Sequence, residues 1–560
     1  SSLLRKPTPL LVLRHGEPLL TTAMRARRRF LDLARLLPLG WCGLIEAQEG
    51  APNRVLDDTV LVQHAIHRSD VPRNLTREEI ADALKHIRGE PLAVHKLKIK
   101  DMGLEDGVNQ GQYILADAAA AFACNALFAM GFDPRYLETS VLADLLVDLK
   151  RYGLSWTRSI DNDAKEVAFQ VQETKGRTWK FVSHRYGCVS STAWKWAMAH
   201  LPPDANSGAS TVAGEAVTTE SGWGALNNVS NLQDAPLAVL LFFQSTMADS
   251  TAMALAVAHK GMLYEQYCEQ CGASRNTRLR GFSMGKSIQG LLLGQRMREL
   301  GAGRGTMALV PEREGERHEW GLTIHNILNM IAACPPDEEE VRQTTMAVNS
   351  TAHYAARMKN RHCKERVGDF YYSTGHAYIN SRELRYSLTT NTSDPESEHS
   401  AELEYADYAW SHLFDAIGAK SFMCQRDAVG TLMLGAMCSA TALDWMRLGV
   451  LVLRRGKGPD GRQVIAREVI DELYGHEGYG TAGNYINGWY RLDRLWHGPS
   501  IGPVLTAIGI GGQMLVIVPS LELVVVRQSS TSLGTGNGFI DPENYGEGYL
   551  LSFIRMLASQ

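Results

Sequence analysis

The chain lacks the long apolar segments of membrane-spanning helices, and it lacks a strong charge of one sign. Crossing a bilayer takes about 20 consecutive apolar residues, and the nearest candidate, 118–130, is interrupted by Asn125. The 57 Lys and Arg nearly balance the 61 Asp and Glu, which leaves a net charge of −4 at pH 7. Nucleic-acid-binding domains are usually basic. We therefore expect neither a membrane-spanning segment nor a nucleic-acid partner.

Cysteine is scarce, and its spacing matches no common metal site. The 560 residues contain nine cysteines, an odd number spread along the chain. This pattern favours reduced thiols over a disulfide framework. Cys268 and Cys271 form a single C-x-x-C pair with no second pair at zinc spacing. We expect these to be buried or idle thiols, and we expect no metal and no organic cofactor.

The most informative feature present is Ser283-Met284-Gly285-Lys286, the only Ser-x-x-Lys run in the chain. It opens an apolar stretch with helical spacing, so the lysine should lie one turn beyond the serine on the same face. A helix N-terminus also presents unpaired backbone N–H groups and a positive dipole end. A nucleophile, an amine and anion-stabilising amides together indicate an acyl-transfer site.

Several other segments surround this helix in a consistent order. Before it, apolar segments flank Lys260-Gly261, which predicts two strands joined by a tight turn. After it come 322–330, then 369–376 with adjacent tyrosines, then the apolar helical segment 443–453. The strand pair 513–526 follows a Gly-Gly pair near the end of the chain.

In this order and at these distances, residues 240–555 resemble the serine β-lactamase-like superfamily. The most similar branch contains class C β-lactamases, D,D-peptidases, esterases and nylon-oligomer hydrolases. The resemblance implies an α/β fold, in which an antiparallel sheet is flanked by helices and a mostly helical subdomain comes from about 300–480. It also implies acyl transfer from an ester or amide through a covalent acyl-enzyme.

The resemblance assigns roles to individual residues. Ser283 would be the acylated nucleophile, and Lys286 would help to deprotonate it. Tyr372 would act as general base and then as acid, although the adjacent Tyr371 is an alternative. A phenol holds its proton up to about pH 10 unless a cation lies nearby, and Lys286 would supply that cation. The backbone N–H groups of Ser283 and Gln513 would form the oxyanion hole.

Two substrate-facing positions depart from the family pattern. The third family element begins with Lys, His or Trp, but Ile510 stands there, followed by Gly511 and Gly512. An isoleucine cannot bind a substrate carboxylate, so we expect neutral, hydrophobic acyl groups and poor turnover of penicillin-like substrates. Thr374 replaces the Asn of the Tyr-x-Asn element.

The chain divides by composition into three parts. Residues 1–201 resemble no family and predict a separate, helix-rich N-terminal domain, with helical spacing at 112–130 and 136–152 and a hairpin from 167–171 and 178–182. Residues 202–236 are rich in Ser, Gly, Ala, Thr and Asn, which predicts a linker. Residues 237–560 form the predicted hydrolase domain, in which the polar segment 389–404 reads as a surface loop.

The N-terminal arm is basic, since residues 1–40 hold eight Lys or Arg and only two acidic residues. An Arg-rich, acid-poor start is typical of a mitochondrial presequence. We therefore predict a mitochondrial location, with a cytoplasmic one as the alternative. The arm could instead pack on an acidic partner or on anionic lipid. Protein partners are expected to bind through this N-terminal region.

Two functions from different classes fit these observations. The first is a serine hydrolase that acts on a small-molecule ester or amide through Ser283. The second is a hydrolase fold with little or no activity, kept as a structural subunit of a large, mitochondrial assembly, because folds can persist without their chemistry. The set Ser283, Lys286 and Tyr372 favours the enzyme.

Overall fold

The computed structural model describes residues 110–191, 223–301, 323–332, 368–389, 395–475, 478–530 and 548–560, with short gaps inside several of these ranges. The basic arm before residue 110 lies outside the described residues. The helices are α1 Gln110–Cys124, α2 Leu237–Met247, α3 Gly285–Glu299, α4 Ile324–Leu328, α5 Thr374–Thr389, α6 Pro395–Ala409, α7 Ala442–Leu453, α8 Arg467–Gly475 and α9 Tyr549–Ala558.

Fifteen strands are described. They are β1 Trp156–Asp161, β2 Glu166–Val171, β3 Thr174–Lys175, β4 Trp179–Ser183, β5 Gly187–Ser190, β6 Ala252–His259, β7 Met262–Tyr267, β8 Leu279–Arg280, β9 Met423–Cys424, β10 Cys438–Ala440, β11 Tyr485–Ile486, β12 Trp489–Arg491, β13 Leu505–Gly509, β14 Gln513–Val518 and β15 Leu523–Ser529. They form sheets of five, three and seven strands.

The largest sheet is antiparallel, with the strand order β11-β12-β13-β14-β15-β6-β7. Its central strands are apolar at almost every position because both faces are covered. Side chains alternate between faces along a strand. Leu255 and Val257 of β6 therefore join one core cluster, whereas Ala254 and Ala256 join the other. The hairpin expected at 254–267 and the strands expected at 513–526 are confirmed.

Helices cover both faces of this sheet. On one face α2 and α9 pack together, with the rings of Phe242 and Phe553 stacked at 4.2 Å between centroids. On the other face α7 packs against β14, β15 and β6. The small sheet β8-β10-β9 lies beside α7, and β8 leads directly into the turn that holds Ser283. The α/β class with an antiparallel sheet flanked by helices is confirmed.

The described part of the N-terminal region is a helix packed on a five-stranded sheet. Helix α1 contacts β2, and β2 pairs with β4 in the predicted hairpin. The described residues of this region also include the π-helical turn that continues α1 and the 3-10 turn Pro134–Tyr136, so the expected helices are accompanied by five strands. This layer also shares its hydrophobic core with the part of the chain that contains α3 and α7. The Arg278 side chain donates to the Ala129 carbonyl over 2.6 Å, so the two parts are in direct contact.

The expectation of reduced thiols is wrong for six cysteines. Cys124 pairs with Cys188, Cys268 with Cys271 and Cys424 with Cys438. The first pair joins the end of α1 to β5 across 64 residues of sequence, and the third joins neighbouring strands β9 and β10. Spacing along the sequence could not reveal these pairs, because strand pairing and helix packing bring the sulfur atoms together.

Two other segments are more ordered than their composition predicted. Part of the polar segment 389–404 is helical, because α6 begins at Pro395, where a proline is well tolerated in the first turn. Within the predicted linker, Trp223 is buried and its indole N–H donates to the Ile417 carbonyl over 2.9 Å. The division into domains at 202–236 stays a prediction.

Within the described ranges, no helix is long and apolar enough to cross a membrane. No cluster of three or more His, Cys, Asp or Glu residues that could hold a metal ion occurs there either.

Candidate active site

Ser283 lies in a short 3-10 turn, Phe282–Met284, immediately before α3. The turn follows β8, so the small sheet and the helix together fix the position of the serine. Phe282 has a φ of 45°, a left-handed value that a bulky residue rarely adopts. Backbone strain of this kind persists where the surrounding packing imposes it, and it is concentrated at functional sites.

Lys286 connects the candidate residues. Its side chain is only 2% exposed. Its Nζ donates to Ser283 Oγ over 2.9 Å, to Thr374 Oγ1 over 3.1 Å and to the Gly435 carbonyl over 3.1 Å. An ammonium group has three N–H donors, and all three have neutral oxygen acceptors here. No carboxylate in the described part of the chain pairs with Lys286.

Tyr372, and not its neighbour Tyr371, faces the lysine. Lys286 Nζ lies 4.9 Å from the centroid of the half-buried Tyr372 ring. Tyr371 is 52% exposed, with its backbone N–H bonded to the Met330 carbonyl. No hydrogen bond joins the Tyr372 hydroxyl to Ser283 in the described residues. The contact of Tyr372 with this site is between its ring and Lys286 Nζ. Its role as general base stays a prediction.

Helix α5 places Thr374 beside Lys286, and Gln289 of α3 binds α5 through hydrogen bonds. Thr374 is the first residue of α5, two positions after Tyr372. The buried side chain of Gln289 donates to the Ala377 carbonyl over 2.6 Å and to Ser381 Oγ over 2.8 Å. These bonds hold α5 against α3, which fixes the distance between the lysine and the Tyr372–Thr374 segment.

A tight turn supports the other side of α3. Asn487 and Gly488 join β11 to β12, with φ values of 46° and 83° that suit a two-residue hairpin. Ser287 Oγ donates to the Gly488 carbonyl over 2.6 Å. A Cβ at Gly488 would lie 2.2 Å from the Lys286 carbonyl oxygen, so only glycine permits this approach. Asn329 holds Asn487 by two hydrogen bonds of 2.8 and 3.0 Å.

The turn between β13 and β14 contains Ile510, Gly511 and Gly512. The end of β13 reaches the serine turn, since a Cβ at Gly509 would lie 2.2 Å from the Gly281 carbonyl oxygen. Ile510 is half-buried and offers only apolar contact. The Gly512 carbonyl accepts a hydrogen bond from Arg527 over 2.7 Å. The turn is therefore held beside the residues that carry Ser283, and its substrate-facing role stays a prediction.

Gln513, the predicted second oxyanion donor, begins β14 and is fully buried. Its side-chain amide donates to Ser529 Oγ over 2.6 Å and accepts from the Ser529 N–H over 3.0 Å. These bonds tie the start of β14 to the end of β15. The side chain is thus structural, and the role of the backbone N–H stays a prediction.

An aromatic cluster lies behind Tyr372. The Tyr485 ring contacts Tyr372 edge to face at 6.1 Å between centroids, and it also contacts Phe370 at 5.5 Å and Tyr490 at 5.0 Å. Ile508 of β13 packs against the same cluster. Burial, with a contribution from the nearby Tyr372, raises the pKa of Tyr485 well above its usual value. Tyr485 therefore stays protonated.

The chain is similar in structure to several solved proteins. One is described as a 6-aminohexanoate-dimer hydrolase from Bacillus anthracis, at 17% identity and TM-score 0.39, covering 59% of this chain and 85% of that one. Another is a penicillin-binding protein from Bacillus halodurans, at 10% identity and TM-score 0.39, covering 52% and 94%. A third is a β-lactamase from Mycobacterium bovis, at 13% identity and TM-score 0.34, covering 52% and 92%.

The described residues form an antiparallel sheet flanked by helices, the α/β class that the sequence predicted. No protein-family model and no curated protein sequence matches the chain. Lys286 lies within hydrogen-bond distance of Ser283, as the Ser-x-x-Lys spacing predicted, and Tyr372 and Thr374, which the resemblance assigned to the site, contact the same lysine.

Sequence reasoning did not identify several groups at this site. The Gly435 carbonyl binds Lys286 from 149 residues away, and no motif marks it. Tyr485 contacts Tyr372 from a short strand that carries no catalytic signature. The Asn487-Gly488 pair could have been found, because Asn-Gly between apolar segments is a strong hairpin signal. What could not be found is that this hairpin supports the lysine's helix.

Proposed function

We propose that the β-lactamase-like domain is a serine hydrolase that cleaves an ester or amide through an acyl-enzyme at Ser283. The supporting observation is the 2.9 Å hydrogen bond between Lys286 Nζ and Ser283 Oγ. This distance lies within the range expected for a nucleophile and its activating group. The buried ammonium favours negative charge on the serine oxygen, and Tyr372 lies against the same ammonium.

In the proposed reaction, Ser283 Oγ attacks the substrate carbonyl carbon and its proton passes to the ionised oxygen of Tyr372. The tetrahedral oxyanion is held by backbone N–H groups, of which those of Ser283 and Gln513 are the predicted ones. Collapse breaks the bond to the alcohol or amine, which takes the proton from Tyr372. Water then attacks the acyl carbon, and its proton reaches the serine oxygen through Tyr372 as the acid is released.

The substrate class follows from Ile510 and its surroundings. No cationic side chain stands at the position where relatives offer one, and the neighbouring Ile508 adds an apolar surface. A charge-assisted hydrogen bond is worth about 1.5–3 kcal/mol, so its absence implies a handicap of roughly ten- to a hundred-fold on anionic substrates. We therefore propose a neutral, hydrophobic acyl group.

The first experiment tests the nucleophile. A fluorophosphonate probe should label the wild-type chain, and Ser283→Ala should remove the label. Ser287→Ala is the matched control, because Ser287 lies on the same helix but is bonded to the Gly488 carbonyl. Labelling that survives in Ser283→Ala would refute the assignment. Absence of labelling in the wild type would instead support the structural-subunit alternative.

The second experiment tests the acyl preference. Hydrolysis of a short neutral ester is compared with that of a chromogenic cephalosporin, which carries a carboxylate. Faster turnover of the ester is expected, and Ile510→Lys should narrow the difference by supplying a charge at the turn. Faster cephalosporin turnover by the wild type would show that another residue binds the carboxylate.

A further inference from the structure

Tyr485 has a buried hydroxyl that the fold itself does not use. The residue is 0% exposed, and its hydroxyl oxygen has no hydrogen-bond partner among the described residues. Most buried polar side-chain atoms in folded proteins are hydrogen-bonded, and each exception needs an explanation. Phenylalanine would fill the same space without this cost. The hydroxyl therefore contributes no hydrogen bond to the stability of the described fold, which indicates a functional role.

The position of Tyr485 suggests what that role is. Its ring meets the Tyr372 ring edge to face, at an interplanar angle of 84°, while Lys286 Nζ lies 4.9 Å from the same Tyr372 ring. The Tyr485 ring also contacts the rings of Phe370 and Tyr490, and the apolar Met330 and Ile508 belong to the same cluster.

The protonation state of Tyr485 makes it a donor. Burial is the main cause that raises the pKa of Tyr485 well above the usual value, and the nearby Tyr372 is a smaller one. The phenol therefore keeps its proton during the proposed reaction. Among the described residues, two titratable groups contact the Tyr372 ring, Lys286 from α3 and Tyr485 from β11, and Tyr490 from β12 lies in the same aromatic cluster. Asp369 and Tyr371 precede Tyr372 on its own segment.

We propose that Tyr485 is a positioning residue that donates its hydroxyl hydrogen to the ionised Tyr372 oxygen, the form that accepts the proton of Ser283 in the proposed reaction. The inference rests on the proposed hydrolase function. A donor to the ionised form makes that form easier to reach. The apolar surroundings strengthen such a bond, because the local dielectric constant is low.

The test is Tyr485→Phe, which removes only the hydroxyl. Loss of a hydrogen bond to a charged group should lower kcat/KM by a factor of about 10–150. The acidic limb of the pH profile should move to higher pH by about one to two units, because the ionised form of Tyr372 loses a donor. The melting temperature should stay the same or rise, because no hydrogen bond of the resting fold is lost.

Tyr474→Phe is the matched control, because Tyr474 is also buried but its hydroxyl already donates to the Val452 carbonyl over 3.2 Å. This variant should lower the melting temperature and leave the pH profile in place. If Tyr485→Phe reduces the rate with an unmoved acidic limb, or changes neither, the role of Tyr485 is refuted while Ser283-dependent turnover stands. A wild type without Ser283-dependent turnover would overturn both proposals.

Discussion

Two buried cations in different regions have opposite environments. In the N-terminal layer, Arg177 is bound to the Asp117 carboxylate by its backbone N–H, its Nε and its Nη2, at 2.7–3.1 Å. Burial alone would lower the pKa of Arg177, but the charge and hydrogen bonds of Asp117 outweigh it and raise the pKa. At the candidate site, Lys286 is just as buried but has three neutral oxygen acceptors.

The difference indicates that the Arg177 charge stabilises the fold, whereas the Lys286 charge can take part in chemistry. A buried ion pair with every hydrogen bond made holds two elements together, and removing one partner leaves an uncompensated charge. A buried cation without a counter-charge costs free energy in the resting fold. It can, however, stabilise negative charge that develops on neighbouring oxygens. The two sites should therefore respond in opposite ways to mutation.

The largest expected effect is on chemistry at Lys286. Lys286→Met should lower kcat/KM for a neutral ester by about 10²–10⁴-fold, because activation of the serine is lost. The free energy of unfolding, measured in urea, should change little, since the cost of burying an unpaired ammonium disappears with it. If Lys286→Met lowered the free energy of unfolding as much as Asp117→Ala, the contrast between the two buried cations would be refuted.

The next effect is on stability at Asp117. Asp117→Ala should lower the free energy of unfolding by about 3–5 kcal/mol, because Arg177 is left buried without its partner. The folded fraction should keep its activity. The exposed pair Arg158–Glu138 in the same layer is the control, and Glu138→Ala should cost less than about 1 kcal/mol. Equal losses in the two variants would show that burial does not decide the strength of these pairs.

The smallest expected effect concerns one acceptor of the lysine. Thr374→Val keeps the shape of the side chain but removes the hydroxyl that accepts from Lys286. A hydrogen bond to a charged group contributes about 1.5–3 kcal/mol, so kcat/KM should fall by at most roughly ten- to a hundred-fold. Thr374→Ser should restore most of the rate. Failure of serine to restore it would indicate that the methyl group, and not the hydroxyl, matters at this position.

Local patterns predicted many of the described elements between residues 252 and 529. The turn at Lys260-Gly261 needs left-handed backbone angles, and the observed φ values of 46° and 82° have that sign. The strands of the large sheet were recognisable because burial on both faces demands continuous apolar residues. The polar segment 389–404 was predicted wrongly as a loop throughout, since composition alone did not show that a helix starts at Pro395.

By itself, the sequence determined that a serine hydroxyl and a lysine ammonium share one helical face, because that spacing is set by the helical repeat within four residues. Only the tertiary structure decided the rest of the site. Thr374 and Gly435, which bind Lys286, lie 88 and 149 residues from it in the sequence. Gly488, in the turn that supports the same helix, lies 201 residues from Ser287. The tertiary structure also turns Tyr372 inward and leaves Tyr371 outside. Contacts between such distant segments depend on how sheets and helices pack, and no short pattern of residues records that packing.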